Sequence, residues 1–125
     1  MPLLETHALT RKFPGVLALD QVSFSAEAGE VHAVCGANGA GKSTLMNVLS
    51  GTILPTSGTI TIEGVPVSLA TPAVARAAGI SIVYQEFSSI PELTVADNVF
   101  LGREFRASLG RIDRARALRE AEALL

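Results

Sequence analysis

The sequence GANGAGKS, at residues 36–43, decides the class of fold to which this chain belongs. It matches the pattern G-x-x-x-x-G-K-[ST] at every fixed position. Its three glycines allow a tight turn that brings successive backbone N–H groups inward, where they can surround the oxygens of a phosphate. Lys42 adds a mobile positive charge, and the hydroxyl of Ser43 can ligate Mg²⁺. The pattern therefore predicts a loop that binds the phosphates of a nucleoside triphosphate.

The residues on either side of this glycine-rich loop support the prediction. Glu30–Cys35 is typical of a short strand that enters the loop, and residues 43–49 are typical of a helix that leaves it. The N-terminus of such a helix points its partial positive charge at a bound anion. On this interpretation Cys35, the only cysteine, is a small buried strand residue rather than a redox group.

The composition is typical of a soluble α/β protein, with 48% apolar residues and a formal net charge of −2. No apolar run approaches the eighteen residues of a membrane span, and the N-terminus has no pattern of a signal peptide. Six of the eight arginines lie between Arg103 and Arg119, but acidic residues are interspersed among them. This mixture favours a solvated helix face, and we expect no nucleic-acid partner.

The remaining elements follow from periodicity and capping signals. Strands are predicted over 3–10, 22–25, 59–63 and 65–67, with a further buried strand over 80–84. Helices are predicted from Thr71 to Ala78, from 95 to 101 behind Thr94 or Glu92, and from Asp113 to Leu125. Pro66 places the 65–67 strand at a sheet edge. An antiparallel β-region thus precedes and follows the loop helix, which is unusual for small P-loop kinases and Ras-like GTPases.

From Leu9 to Arg103 the chain resembles the ATP-binding subunits of ATP-binding cassette (ABC) transporters, and among them those of bacterial ribose, xylose and galactose importers. The matching strings are FPGVLAL at 13–19, NGAGKSTLM at 38–46, LSG at 49–51, GI at 79–80, YQE at 84–86 and LTVADNVFLGR at 93–103. The resemblance implies an α/β fold with a P-loop NTPase (ABC ATPase) core. Residues 1–86 would form an incomplete nucleotide-binding core with its antiparallel β-subdomain, and residues 87–125 the start of the helical subdomain.

The resemblance also implies roles for individual residues, with ATP and Mg²⁺ as cofactors. Phe13 lies where the family places an aromatic residue against adenine, and such stacking contributes about 1–3 kcal/mol. Gln85 occupies the position of the Q-loop glutamine, which completes the Mg²⁺ shell and reaches the attacking water. Catalytic roles therefore fall on Lys42 and Gln85, and Mg²⁺ ligation on Ser43 and Gln85. The residues expected to bind ATP are Phe13, Gly36, Ala37, Asn38, Gly39, Ala40, Gly41, Lys42, Ser43 and Thr44.

The function implied by the resemblance is binding and hydrolysis of ATP in an importer for a monosaccharide. The implied partners are transmembrane permease subunits and a second cassette, in tandem or in a dimer. The implied location is the cytoplasmic face of the inner membrane. The alternative is a soluble ABC-type ATPase that acts on nucleic acid or ribosomes, but the strings at 13–19 and 93–103 recur in transporters. A third possibility is an unrelated P-loop kinase or GTPase. No guanine-specific Asn-Lys-x-Asp sequence is present, and a complete kinase would contain its own second acidic strand end.

Several motifs that phosphoryl transfer needs do not follow Gly102 in these 125 residues. Hydrolysis by this class requires an acidic residue at the end of an apolar strand and a carboxylate that polarises the attacking water. Glu86 follows the apolar residues 80–84, but its neighbours match the Q-loop instead. We therefore expect the chain to be the N-terminal part of the first of two tandem cassettes, with nucleotide binding that is weak at most and no turnover by itself. Uncovered apolar faces would make it self-associate, by exchange of a segment between copies.

Overall fold

The computed structural model describes residues 1–84 and 89–125, which form two compact units, Met1–Val83 and Tyr84–Leu125. The first unit contains strands β1 (Leu4–Phe13), β2 (Val16–Ala26), β3 (Ser57–Ile62) and β4 (Val65–Val67), with helices α1 (Lys42–Leu49) and α2 (Pro72–Ala77). The second unit contains α3 (Val95–Val99), a 3₁₀ turn (Ser108–Gly110) and α4 (Arg114–Leu124). No helix among the described residues is long and apolar enough to cross a membrane.

The strands of the first unit form one antiparallel sheet in the order β2-β1-β3-β4. The predicted antiparallel β-region is therefore confirmed. Pro66 lies in β4 at the edge of the sheet, opposite Thr61, as its missing N–H group requires. The short hairpin between β3 and β4 turns at Gly64, whose φ is 76°.

The core of the first unit lies between the sheet and α1. Three strands contribute the buried residues Leu9, Leu19 and Ile60, and α1 contributes Leu45, Val48 and Leu49. The apolar positions of α1 recur at the three- and four-residue spacing that places them on one helix face. This packing fixes the start of α1 beside the sheet, so the glycine-rich loop before it is held close to β2.

The long hairpin of β1 and β2 has an irregular register that a buried threonine compensates. The pairing shifts between Thr6 and Leu9. Thr6, which is 1% exposed, donates its hydroxyl to the Val22 carbonyl at 3.1 Å and accepts the N–H of Phe24 at 3.2 Å. One side chain thus replaces ladder hydrogen bonds that the shift removes. Two further shifts follow, between Leu9 and Arg11 and between Arg11 and Lys12, before the hairpin reaches its tip at Phe13.

The predicted strand at Glu30–Cys35 is wrong for this structure. Residues 30–37 adopt no regular secondary structure, and Val31 is 97% exposed. Cys35 is likewise exposed rather than buried. A strand forms only where a neighbouring strand takes up its N–H and C=O groups, and no strand among the described residues runs beside this segment.

The buried strand predicted over residues 80–84 is absent for the same reason. Ile80 packs against the core of the first unit, but Val83 is 96% exposed and residues 80–84 pair with no described strand. High apolar content therefore identified a segment suited to a sheet interior. Apolar composition does not show whether neighbouring strands are present to pair with the segment.

The predicted start of α2 is confirmed, and its cap allows a stability test. Pro72 is the first residue of the helix, and the Thr71 hydroxyl accepts the N–H of Val74 at 3.2 Å. Replacing Thr71 by alanine should lower the free energy of unfolding by about 1 kcal/mol, because that N–H loses its acceptor. Urea titration would measure the loss. Thr71→Ser, which keeps the hydroxyl, should retain most of the stability, and equal losses in both variants would contradict the cap's role.

The second unit is built around two capped helices. Thr94 accepts the N–H of Asp97 at the start of α3, and Asp113 accepts the N–H of Arg116 at the start of α4. Of the two N-caps predicted for the earlier helix, Thr94 is therefore the residue used. The Asn98 side chain accepts the N–H of Ile90 at 2.7 Å and so fixes the chain before α3.

Candidate nucleotide-binding site

The glycine-rich loop enters α1 through Gly41, the N-cap residue of the helix. Its φ of 102° lies in the left-handed region that side chains other than glycine rarely adopt. A Cβ atom at this position would also lie against the carbonyl oxygen of Ala18 in β2. The missing side chain thus lets the loop approach the sheet closely.

The N-terminus of α1 is open to an anion. Within the described residues, no side chain caps this end of the helix, and its first turn carries no acidic residue. Leu45 donates its N–H back to the Gly41 carbonyl at 2.9 Å, which leaves the preceding N–H groups without an acceptor inside the helix. These groups carry the partial positive charge of the helix end, which favours a phosphate.

Lys42 lies over the loop that precedes it. Its ammonium donates to the carbonyl oxygen of Gly36 and, at 2.8 Å, to that of Ala37. The Ala40 N–H donates to the same Ala37 carbonyl at 3.1 Å and closes the turn. A lysine ammonium has three N–H donors, so two loop carbonyls do not exhaust its capacity. The positive charge of the Lys42 ammonium is therefore held beside the loop that leads into the N-terminus of α1.

A cavity of about 380 Å³ joins the loop to the tip of the β1–β2 hairpin. Its volume lies within the range of small-molecule sites, and its lining combines aromatic, apolar and charged groups. The predicted site residues that line it are Phe13, Asn38, Gly39, Gly41, Lys42, Ser43 and Thr44. The structure thus brings the aromatic ring, the lysine and the serine hydroxyl to one cavity, although Phe13 and Lys42 are far apart in sequence.

The other predicted site residues lie elsewhere. Gly36 and Ala37 contribute the carbonyl oxygens that hold Lys42, and Ala40 lies within the turn of the loop. Gln85 and Glu86 lie outside the described residues, so the predicted role of Gln85 stays a prediction.

Three residues of the cavity were not among the predicted site residues: Val16, Leu17 and Ala18 at the start of β2. Phe13 pairs with Val16, and Lys12 pairs with Leu17, across the tight hairpin. A strand that returns beside Phe13 must place its first residues next to that ring. The turn residues Pro14 and Gly15 were the signal that could have identified them.

The segment that leads into the loop has its own electrostatic contact. The Glu30 carboxylate accepts the N–H of Glu27 at 2.7 Å and lies 3.5 Å from Nδ1 of His32. The backbone hydrogen bond is the main cause that lowers the pKa of Glu30, and His32 lowers this pKa further. The ionised carboxylate therefore fixes the turn that follows β2, ahead of the loop.

A glycine-rich loop that opens a helix beside a β-sheet defines the P-loop nucleoside triphosphatase class. Solved structures place the fold more narrowly. A nucleotide-free ATP-binding cassette from an ABC transporter superimposes with a TM-score of 0.76 at 31% identity, over 96% of this chain and 46% of that one. An ATP-bound bacterial Atm1-family ABC exporter gives a TM-score of 0.70 at 28% identity, over 86% of this chain and 19% of that one.

Sequence comparison agrees with the structural one. Residues 19–124 match the ABC transporter family. The ribose import ATP-binding protein RbsA 1 of Rubrobacter xylanophilus is 51% identical over 99% of this chain and 25% of its own length. The arabinose import ATP-binding protein AraG of Yersinia pestis is 47% identical over 90% of this chain and 21% of its own length. The chain belongs to the ABC transporter family, and it spans about a quarter of the length of these curated relatives.

Proposed function

We propose that this chain is the nucleotide-binding part of an ABC importer ATPase and that it binds ATP with Mg²⁺. The observation that carries the proposal is the single cavity in which the open N-terminus of α1, Lys42 and Phe13 meet. A positively polarised helix end and an ammonium suit a triphosphate, and an aromatic ring suits a purine. The cavity thus offers both parts of a nucleotide a binding surface.

Different residues of the proposed site would bind different parts of the nucleotide. The loop N–H groups and Lys42 would hold the phosphates, and Phe13 would stack on the base. The exposed hydroxyl of Ser43 lines the same cavity and would ligate Mg²⁺, which neutralises charge between the phosphates. We assign Gln85 to the same metal and to the attacking water, on the resemblance alone. Hydrolysis is assigned to the complete protein, because no water-activating motif follows Gly102 in these 125 residues.

The similar proteins favour a monosaccharide as the transported cargo, since the names of the relatives above include ribose import and arabinose import. An importer ATPase would work with transmembrane permease subunits and a second cassette at the cytoplasmic face of the membrane. Domain boundaries at 1–86 and 87–125 belong to the same proposal. The division of the chain into two compact units, with the boundary between Val83 and Tyr84, supports these domain boundaries.

Isothermal titration with MgATP and with Mg-tripolyphosphate tests the proposed site. If Phe13 stacks on the base, MgATP should bind at least about fivefold more tightly than Mg-tripolyphosphate, which contains no base. Equal affinities for the two ligands would mean that Phe13 does not stack on the base. Failure of both ligands to bind would overturn the proposed nucleotide site itself.

We also propose that the chain self-associates through its exposed apolar segments. Val31 and Val83 are almost fully exposed, in the two segments whose sequences suit a buried strand. Light scattering during size-exclusion chromatography should show a mass above the 13.0 kDa of the monomer. The double variant Val31→Lys/Val83→Lys should shift the mass towards the monomer, because charged side chains oppose the pairing of these apolar segments between copies. A monodisperse monomer at high concentration would contradict the proposal.

A further inference from the structure

The ring of Phe13 has a charged neighbour on its own strand. The guanidinium carbon of Arg11 lies 4.6 Å from the centroid of the Phe13 ring. At this distance the cation is attracted to the negative face of the aromatic ring. The planar guanidinium can also stack on the ring in a way that an ammonium cannot.

One hydrogen bond anchors the Arg11 side chain. Its Nη1 group donates to the Leu54 carbonyl at 2.8 Å, which joins β1 to the segment that follows α1. Its Nε atom is buried and has no hydrogen-bond partner among the described residues. A buried donor without an acceptor is unfavourable, so the packing of Arg11 between Phe13 and Leu54 must offset that cost. The hydrogen bond to Leu54 and the contact with the Phe13 ring together restrict the position of the guanidinium.

The contact leaves one face of the Phe13 ring for a ligand. Phe13 lines the cavity beside the glycine-rich loop, whereas Arg11 and Leu54 are not among the described residues that line it. The guanidinium thus covers one face of the ring without lining the cavity. The opposite face of the ring can then receive a planar base.

We propose that Arg11 is a positioning residue for nucleotide binding, which acts by holding the Phe13 ring in the orientation that stacks on the base. The inference rests on the proposed nucleotide site and deepens it. Arg11 does not touch the ligand. It fixes the ring in advance and so lowers the ordering cost of binding the base.

The test compares two ligands in an arginine variant. Arg11→Met keeps an apolar side chain of similar length and should weaken MgATP binding roughly threefold to fivefold through the lost cation–π contact. Mg-tripolyphosphate binding should stay unchanged, because that ligand has no base, and it also reports that the loop is folded. Arg76→Met, at an exposed position on α2, is the matched control and should bind both ligands like the wild type.

A double variant shows whether Arg11 acts through Phe13. In a Phe13→Leu background, Arg11→Met should have no further effect on MgATP affinity, because the group that it positions is gone. Equal effects in both backgrounds would overturn the proposal. Tighter MgATP binding in Arg11→Met would overturn it too, since the guanidinium would then compete with the base for the ring.

A measurement without nucleotide separates this inference from the proposed function. In NMR spectra, the side-chain Nε–H and Cδ–H signals of Arg11 should be shifted by the Phe13 ring current, and Phe13→Leu should abolish the shift. Normal shifts in the wild type would overturn the inference while leaving MgATP binding intact. Absence of binding of both MgATP and Mg-tripolyphosphate would overturn the proposed site, and the inference with it.

Discussion

Replacing Lys42 by alanine is expected to weaken MgATP binding roughly tenfold to a hundredfold, the equivalent of one charge-assisted hydrogen bond to a phosphate. The Lys42 ammonium lies over the loop, bonded to the carbonyls of Gly36 and Ala37, and lines the cavity with Ser43. Among the described residues that line the cavity, Lys42 is the only one with a positively charged side chain. Isothermal titration with MgATP measures the loss, and Mg-tripolyphosphate should lose affinity by the same factor.

The chain supplies its own matched control, because Lys12 is the only other lysine. Lys12 is exposed in β1 and does not appear among the described residues that line the cavity. Lys12→Ala removes the same charge from the protein and should change MgATP affinity less than twofold, as expected for a screened surface charge. Equal losses in the two variants would show that net charge, and not the position of Lys42, governs binding.

Local signals in the sequence predicted local structure well. Thr71 with Pro72, Thr94, and Asp113 each identified the start of a helix, because an N-cap is a contact between residues two or three positions apart. The alternation at residues 59–63 and the proline at 66 likewise identified β3 and the edge strand β4. Fold class followed from the glycine-rich loop and was confirmed by the solved cassettes.

Long-range pairing was the part that the sequence did not determine. Residues 30–35 and 80–84 have the composition of buried strands, yet neither forms one among the described residues. A strand is completed by its neighbours, which periodicity along one segment cannot identify. The reverse also occurred at the hairpin tip, where pairing with Phe13 brings Val16 to the site although that residue carries no chemical signal of its own.

Arg11 illustrates the same limit at a single side chain. In the sequence it is one arginine beside a lysine, in a strand of mixed polarity. Only the folded hairpin shows that it reaches Leu54, forty-three positions away, and covers one face of Phe13. The glycine-rich loop predicted phosphate-binding residues from its own pattern, and the resemblance predicted a role for Phe13. The contact between Arg11 and Phe13, in contrast, depends on tertiary contacts that join β1 to the segment after α1.

Replacing Gly41 by alanine is expected to lower the free energy of unfolding by about 2–4 kcal/mol. Two costs add at this position. The φ of 102° strains any residue with a Cβ atom, and that atom would press against the Ala18 carbonyl and the side chain of Leu19 in β2. To relieve the clash the start of α1 must move away from the hairpin, and MgATP affinity should fall along with stability.

Gly39→Ala separates the two costs, because the residues share a loop and a positive φ. Gly39 has a φ of 84°, and a Cβ atom there would meet no described atom within 4 Å. Only the conformational strain applies to it, so we expect a loss of about 1 kcal/mol. Urea unfolding of both variants gives the difference. Equal losses would mean that Gly41 is needed for its backbone angle alone. A clearly larger loss at Gly41 would mean that the close approach of the loop to Ala18 and Leu19 in β2 also requires the missing side chain.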